Sequence, residues 1–254
     1  MLIRREQMRA LEEVRMPEFE DFMVAHLREF SPLHSKSLGE AGIRALVNVG
    51  VGRARQHMFT HRATVKFYIE TMILLGVDFD TDPQYPRAGE ILRDASAPDQ
   101  VERADRVHAW LIELLDAAGG PGRRYARQAL QRAREIVFEP IPASDPDFEE
   151  RVIGYMKQNH PEKAAYVGDE NLKGLIPRAV EETRKYSVHT DAGVCLFLGL
   201  MFAVGHGFAV DPKYPWAHRT LTNPAIKDPD KRVERLHSKT MTYLDRVLQH
   251  LQVT

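Results

Sequence analysis

Histidine, aspartate and cysteine are the side chains here that could do acid–base, metal or nucleophilic chemistry, and three of them crowd one stretch. His206, Asp211 and His218 lie close together in the sequence. Two imidazoles and a carboxylate could shuttle a proton or hold a cation. A metal centre needs three or four convergent ligands, and this spacing fits no ligand motif, so no metal is expected. Cys195 sits in the apolar run Val194-Cys195-Leu196-Phe197-Leu198 and reads as a small buried hydrophobe. The chain has no G-x-S-x-G elbow. Gly50-Val51-Gly52-Arg53 and Gly119-Gly120-Pro121-Gly122 lack the Lys-Ser/Thr of a phosphate loop. No catalytic residue and no cofactor is assigned. An enzyme reading, if it holds, centres on His206, Asp211 and His218.

The elements that carry these residues repeat. Gly76-Val-Asp-Phe-Asp-Thr-Asp-Pro-Gln-Tyr-Pro-Arg-Ala88 aligns with Gly205-His-Gly-Phe-Ala-Val-Asp-Pro-Lys-Tyr-Pro-Trp-Ala217, with seven of 13 positions identical at an offset of 129. The same offset pairs Pro17 with Pro146, Phe19 with Phe148, Gly39 with Gly168, Leu46 with Leu175, Met72 with Met201 and Leu92 with Leu221. The chain is therefore read as two tandem-duplicated helical modules, 1–118 and 146–254. A Gly/Arg-rich linker with its own helix, 119–145, joins them. Duplication predicts a pseudo-twofold packing in which equivalent helices meet at one shared interface.

Apolar spacings of three and four predict the helices. They place one from Pro17 to Phe30, a second over about 38–57 and a third over 61–75 capped by Thr60. Gly76 stops the third, and a short helix runs from Pro86 to Leu92. The second copy is expected to repeat this over 146–159, 168–186, 189–204 and 215–221. Each module ends in one more amphipathic helix, about 99–117 and 230–251. No alternation is long enough for a sheet, so the fold class is all-α.

The repeated loop admits two readings. Glycine can stop a helix, phenylalanine plug the core, Asp-Pro turn the chain and proline start the next helix. That structural reading outweighs the functional one, in which the loop binds. As a partner surface the loop would offer Asp78, Asp80, Tyr85 and Arg87 in the first copy and Tyr214 and Trp216 in the second. Asp78 and Asp80 become Gly207 and Ala209, so the copies differ where they could touch a partner.

Composition narrows the classes. Hydrophobic residues at 43% and charged residues at 28% are those of a globular chain. A formal charge of −1, from 35 basic and 36 acidic side chains, gives no overall pull toward nucleic acid or anionic lipid. The one basic concentration, Arg123, Arg124, Arg127, Arg132 and Arg134, has few interleaved aromatics, which favours a solvated face over RNA binding. No apolar stretch is long enough to span a bilayer, and a single cysteine fits a reducing, cytoplasmic compartment.

Ile3-Arg-Arg-Glu-Gln-Met8, Phe19-Glu20, Met23-Val-Ala-His-Leu-Arg28, Leu38-Gly39-Glu40 and the loop opened by Gly76 and closed by Asp82-Pro83 are similar to small helical bacterial proteins encoded beside type VI secretion effectors and spike components. The second copy's Pro215-Trp216-Ala217 is closer to that family's loop ending than Pro86-Arg87-Ala88. Family members carry one copy, so a doubled chain departs from the pattern. The resemblance implies a protein partner, a secreted toxin or spike component, and a role as immunity protein or adaptor-chaperone.

Overall fold

The computed structural model describes residues 16–135 and 139–253. The run from Ile3 to Met8 and residues 136–138 of the expected linker lie outside them. The first half holds α1 (Met16–Phe30), α2 (Pro32–Gln56), α3 (Arg62–Leu75), α4 (Pro86–Leu92) and α5 (Gln100–Gly119). After a short turn comes α6 (Arg124–Glu135). The second half holds α7 (Phe148–Asn159), α8 (Pro161–Val167), α9 (Asp169–Lys173), α10 (Leu175–Lys185), α11 (Asp191–Val204), α12 (Pro215–Leu221) and α13 (Pro229–Val253). Every regular element among the described residues is a helix, with no strand, and none of these helices is long and apolar enough to cross a membrane.

Local chemistry explains most boundaries. Pro32 ends α1 and starts α2, since a proline disfavours helix in the residue before it and suits the first helical turn. The second helix begins earlier than its apolar periodicity suggests and breaks at Gly39, whose φ of 64° suits glycine. The matching stretch of the second half is split further, into α8, α9 and α10, with Gly168 at φ 79° between the first two.

Thr60 does not cap α3. The side-chain oxygen of Gln100 accepts from the backbone N–H of Thr60 (2.8 Å) and His61 (3.1 Å) and from the Thr64 hydroxyl (2.8 Å). A residue 40 positions away thus closes the helix start, which local sequence cannot reveal. We expect Gln100→Ala to cost about 1 kcal/mol, as loss of a helix cap does, read as a lower urea midpoint with unchanged slope. Thr190, by contrast, caps α11 in the ordinary way, accepting from Gly193 N–H at 3.2 Å.

One continuous hydrophobic core runs through both halves. Phe79 and Phe208, the two loop phenylalanines, are each 1% exposed; Phe79 meets Tyr68 and Phe208 meets Phe197, at centroid separations of 4.9 and 5.0 Å.

The ends of α3 and α11 meet. A β-carbon on Gly205 would lie 2.7 Å from the Leu75 carbonyl oxygen, and one on Gly76 would lie 3.1 Å from that of Val204. Only glycine allows this approach, and both residues also have positive φ, 118° at Gly76 and 104° at Gly205.

Candidate functional site

Around that meeting point, positions related by an offset of 129 make the same contact in reverse. Asp82 accepts from His206 N–H at 2.9 Å, and Asp211 accepts from Val77 N–H at 3.0 Å. Each carboxylate also accepts the backbone N–H two residues on, Gln84 at 2.9 Å and Lys213 at 2.8 Å. Gln84 Nε2 then donates to the Met201 carbonyl, at the end of α11, at 3.0 Å. Lys213 Nζ donates to the Met72 and Ile73 carbonyls, at the end of α3, at 3.1 and 2.8 Å.

The charges at the two helix ends are exchanged between positions. Lys213 supplies the ammonium for α3, whereas α11 receives neutral Gln84 and takes its ammonium from Lys163, which donates to the Phe202 carbonyl. Position 163 corresponds to His34, which packs on Tyr214 and bonds Tyr243 at 3.2 Å. Burial, then the Lys213 charge, lowers the pKa of His34 to about 4 and holds it neutral. Each helix C-terminus, the negative end of its dipole, thus holds one buried cation.

This geometry decides the place of most sequence-selected residues. Asp211 is 1% exposed and engaged in the interlock. His206 Nε2 lies 3.1 Å from the Asp78 carbonyl oxygen and 3.3 Å from Thr81 Oγ1, while the exposed His218 places Nδ1 3.2 Å from the Ala209 carbonyl. The three thus face separate partners, and among the described residues no group of three His, Cys, Asp or Glu side chains could hold a metal. Tyr85 and Tyr214 are buried. Arg87 is exposed and pairs with Glu113 at 3.1 Å.

Asp78 and Asp80 belong to a polar cluster that the sequence did not reveal. Arg53 bridges them, 2.6 Å from Asp78 and in ion pair with Asp80. His57 Nε2 lies 2.6 Å from the second Asp80 oxygen. Burial alone would raise the Asp80 pKa, but the hydrogen bonds from His57 and Arg53 more than offset this and lower it to about 2. The corresponding second-half positions, Glu182, Tyr186, Gly207 and Ala209, cannot form the cluster. Gly207 has its own reason: a β-carbon there would lie 2.2 Å from Asp78 Oδ2. The two loops face each other with room for one carboxylate.

A cavity of about 200 Å³ between Asp78, His206 and Arg178 is rimmed by Lys185 ion-paired with Glu181 and Glu182.

The distinctive surface lies on the second half. Cys195, Gly199 and Ala203, four residues apart on α11, form the floor of a half-open pocket of about 160 Å³. Val152, Tyr155 and Met156 of α7 form one wall, and Thr240, Met241 and Leu244 of α13 the other; Trp216 also lines it. Burial raises the pKa of the Cys195 thiol, which donates to the Ile141 carbonyl, so it is a packing group rather than a nucleophile.

On the first half the positions 129 earlier carry large side chains. Lys66, Glu70 and Leu74 stand where the pocket has Cys195, Gly199 and Ala203. Glu70 pairs with His26 at 2.6 Å and Lys66 at 2.8 Å. Phe22, His26 and Phe30 stack along α1 at 6.1 and 5.6 Å, leaving Phe22 44%, Phe30 38% and Leu74 46% exposed. One half presents a ridge and the other a hollow.

No protein-family model matches the chain, and neither a curated protein nor a solved structure matches it. Fold and surface together define an all-helical protein with a half-open apolar pocket.

Proposed function

We propose that the chain is a tandem duplication packed about a pseudo-twofold axis and that it acts as a non-enzymatic protein-binding protein through the α11 pocket. The reciprocal bonds of positions related by the 129-residue offset, Asp82 to His206 and Asp211 to Val77, support the duplication. One observation carries the binding reading. Gly199 and Ala203 are exposed on the floor of an apolar hollow walled by aromatic and methionine side chains. A hollow of this kind admits an apolar side chain of a partner, and methionine walls adapt to its shape. Trp216, picked from the sequence as a partner contact, lines it. The resemblance noted in the sequence supplies the partner class: a secreted toxin or spike component of a type VI secretion system. The role is then that of a cytoplasmic immunity protein or adaptor-chaperone.

The test is a pull-down of the tagged protein from its native lysate beside the Gly199→Leu variant. A β-carbon at Gly199 meets nothing within 4 Å, so the added side chain fills the hollow without crowding the fold. The wild type should retain a stoichiometric toxin or spike protein, and Gly199→Leu should weaken its capture by about tenfold or more. A wild-type preparation with nothing bound, or equal capture by both, would overturn the reading.

A further inference from the structure

We propose that the seam between the two halves also joins two copies of this chain: the turn after α5 opens, and the first half of each copy docks on the second half of the other.

The bonds across the seam each take one partner from either side of that turn. Val77 with Asp211, Asp82 with His206, Gln84 with Met201 and His34 with Tyr243 are 117 to 209 residues apart. A second copy supplies the same partners at the same distances, so exchange keeps the buried interlock whole. α6 travels with the second half, where Arg134 pairs with Asp245 at 2.6 Å and Arg132 reaches the Asn159 carbonyl at 3.3 Å. The hinge is therefore residues 119–123. The α11 pocket, whose lining runs from Ala133 to Leu244, lies wholly beyond it, so an exchanged pair carries two intact pockets.

The hinge is strained. Gly120 and Gly122 have φ of 69° and 55°, and Arg123, with φ 60°, is left-handed without being glycine. A β-carbon on Gly120 would lie 2.3 Å from the Tyr125 ring, so the turn is wound tight. Pro121, Gly122 and Arg123 are exposed, and the turn's backbone bonds are local: Gly120 N–H to the Asp116 carbonyl at 3.1 Å and Arg123 N–H to the Gly120 carbonyl at 3.0 Å. A short strained hinge between parts that pair favours their exchange between copies. Against it stands the tether, which presents each half to its own partner at an effective concentration of about 1 mM. Relaxing one left-handed arginine is worth roughly fivefold, and two relax in each exchanged pair. Association is therefore expected roughly 25-fold below that threshold, at tens of micromolar.

The experiment is light scattering on the full chain refolded from urea across the micromolar range, with cysteine variants that report which halves pair. The wild type should pass from monomer to dimer mass with rising concentration. Arg123→Gly, relaxed in the closed turn, should need roughly 25-fold more protein to do so. A β-carbon on Gly207 would lie 3.0 Å from Asp78 Cγ, so the β-carbons of the two positions come within the roughly 4.5 Å that a disulfide spans. Asp78→Cys in one copy and Gly207→Cys in another, refolded together and oxidised, should give a covalent dimer, whereas either variant alone should give none. Both changes in one chain should close within it and hold it monomeric at every concentration. A wild type that stays monomeric, a dimer that Arg123→Gly leaves unchanged, or a mixture that yields no covalent dimer would overturn the inference. Each of these outcomes is independent of Gly199-dependent capture from a lysate, which tests the pocket by itself.

Discussion

Replacing Asp211 with alanine is expected to lower stability by roughly 3–5 kcal/mol, more than any other loop substitution. Asp211 holds the N–H of Val77 and lies 3.6 Å from the ammonium of Lys213, with both side chains buried. Without the carboxylate, Lys213 keeps two carbonyl bonds but loses the countercharge of Asp211, and the Val77 N–H loses its acceptor. Burial already lowers the Lys213 pKa, so the variant should leave the amine readier to lose its proton. Asp82→Ala provides the comparison. Its backbone bonds match, but the residue two positions on is neutral Gln84 and the buried cation it faces, Lys163, lies beyond ion-pair distance, so we expect a smaller loss. Urea denaturation of the two variants tests this, and equal losses would show that the close contact of Asp211 with Lys213 adds nothing to the cost. Asp211→Ala combined with Lys213→Met should recover part of the loss, because it removes the stranded cation.

Asp80→Asn should cost about 2 kcal/mol at neutral pH, the equivalent of a carboxyl lowered from 3.8 to about 2. Asp80 is 3% exposed, so solvent does little to screen its bonds to His57 and Arg53. The pH dependence has a definite sign. A carboxyl whose folded pKa lies below its unfolded one stabilises the fold above the unfolded value, and that contribution is lost as pH falls through the folded one. The gap between wild type and variant should thus be full above about pH 5 and close between pH 4 and 2. A gap that does not change with pH would show that Asp80 acts by shape alone. His34 adds a separate acid sensitivity in both proteins. Its pKa is lowered to about 4, so its contribution is present above the ordinary histidine range and lost as pH falls toward 4.

How far these features were legible in the sequence depends on the distance over which each cause acts. Gly76 and Gly205 could be read as helix stops because a helix end needs positive φ locally. That the two glycines also touch each other could not, since their approach is set by the packing of both halves. Asp82 was legible as part of an Asp-Pro turn, but not the direction of its second bond. One oxygen takes the local N–H of Gln84, and the other crosses to His206, 124 residues away. The Arg53–His57–Asp80 cluster gave no signal, because its members come from α2 and the loop beyond α3. Their spacing of 23 to 27 residues matches no local period.

The pocket was hidden for a related reason. Cys195, Gly199 and Ala203 are ordinary small residues in a strongly apolar helix and read as core. Their four-residue spacing marks one helix face, but what lies above it depends on where α7 and α13 stop. Glu70 at the position of Gly199 was the available sign, since it marks a difference between otherwise similar halves.

The sequence by itself determined that the fold is all-helical, where most helices begin and end, and that identical residues recur at an offset of 129. Those properties follow from backbone sterics, proline and glycine chemistry and the 3.6-residue period, which act within a few residues. Only the tertiary structure decided which carboxylates are interior locks, which histidines bond backbone carbonyls and where an apolar hollow stays open. Burial and partner identity are set by residues from opposite halves of the chain, brought together only when the ends of α3 and α11 meet.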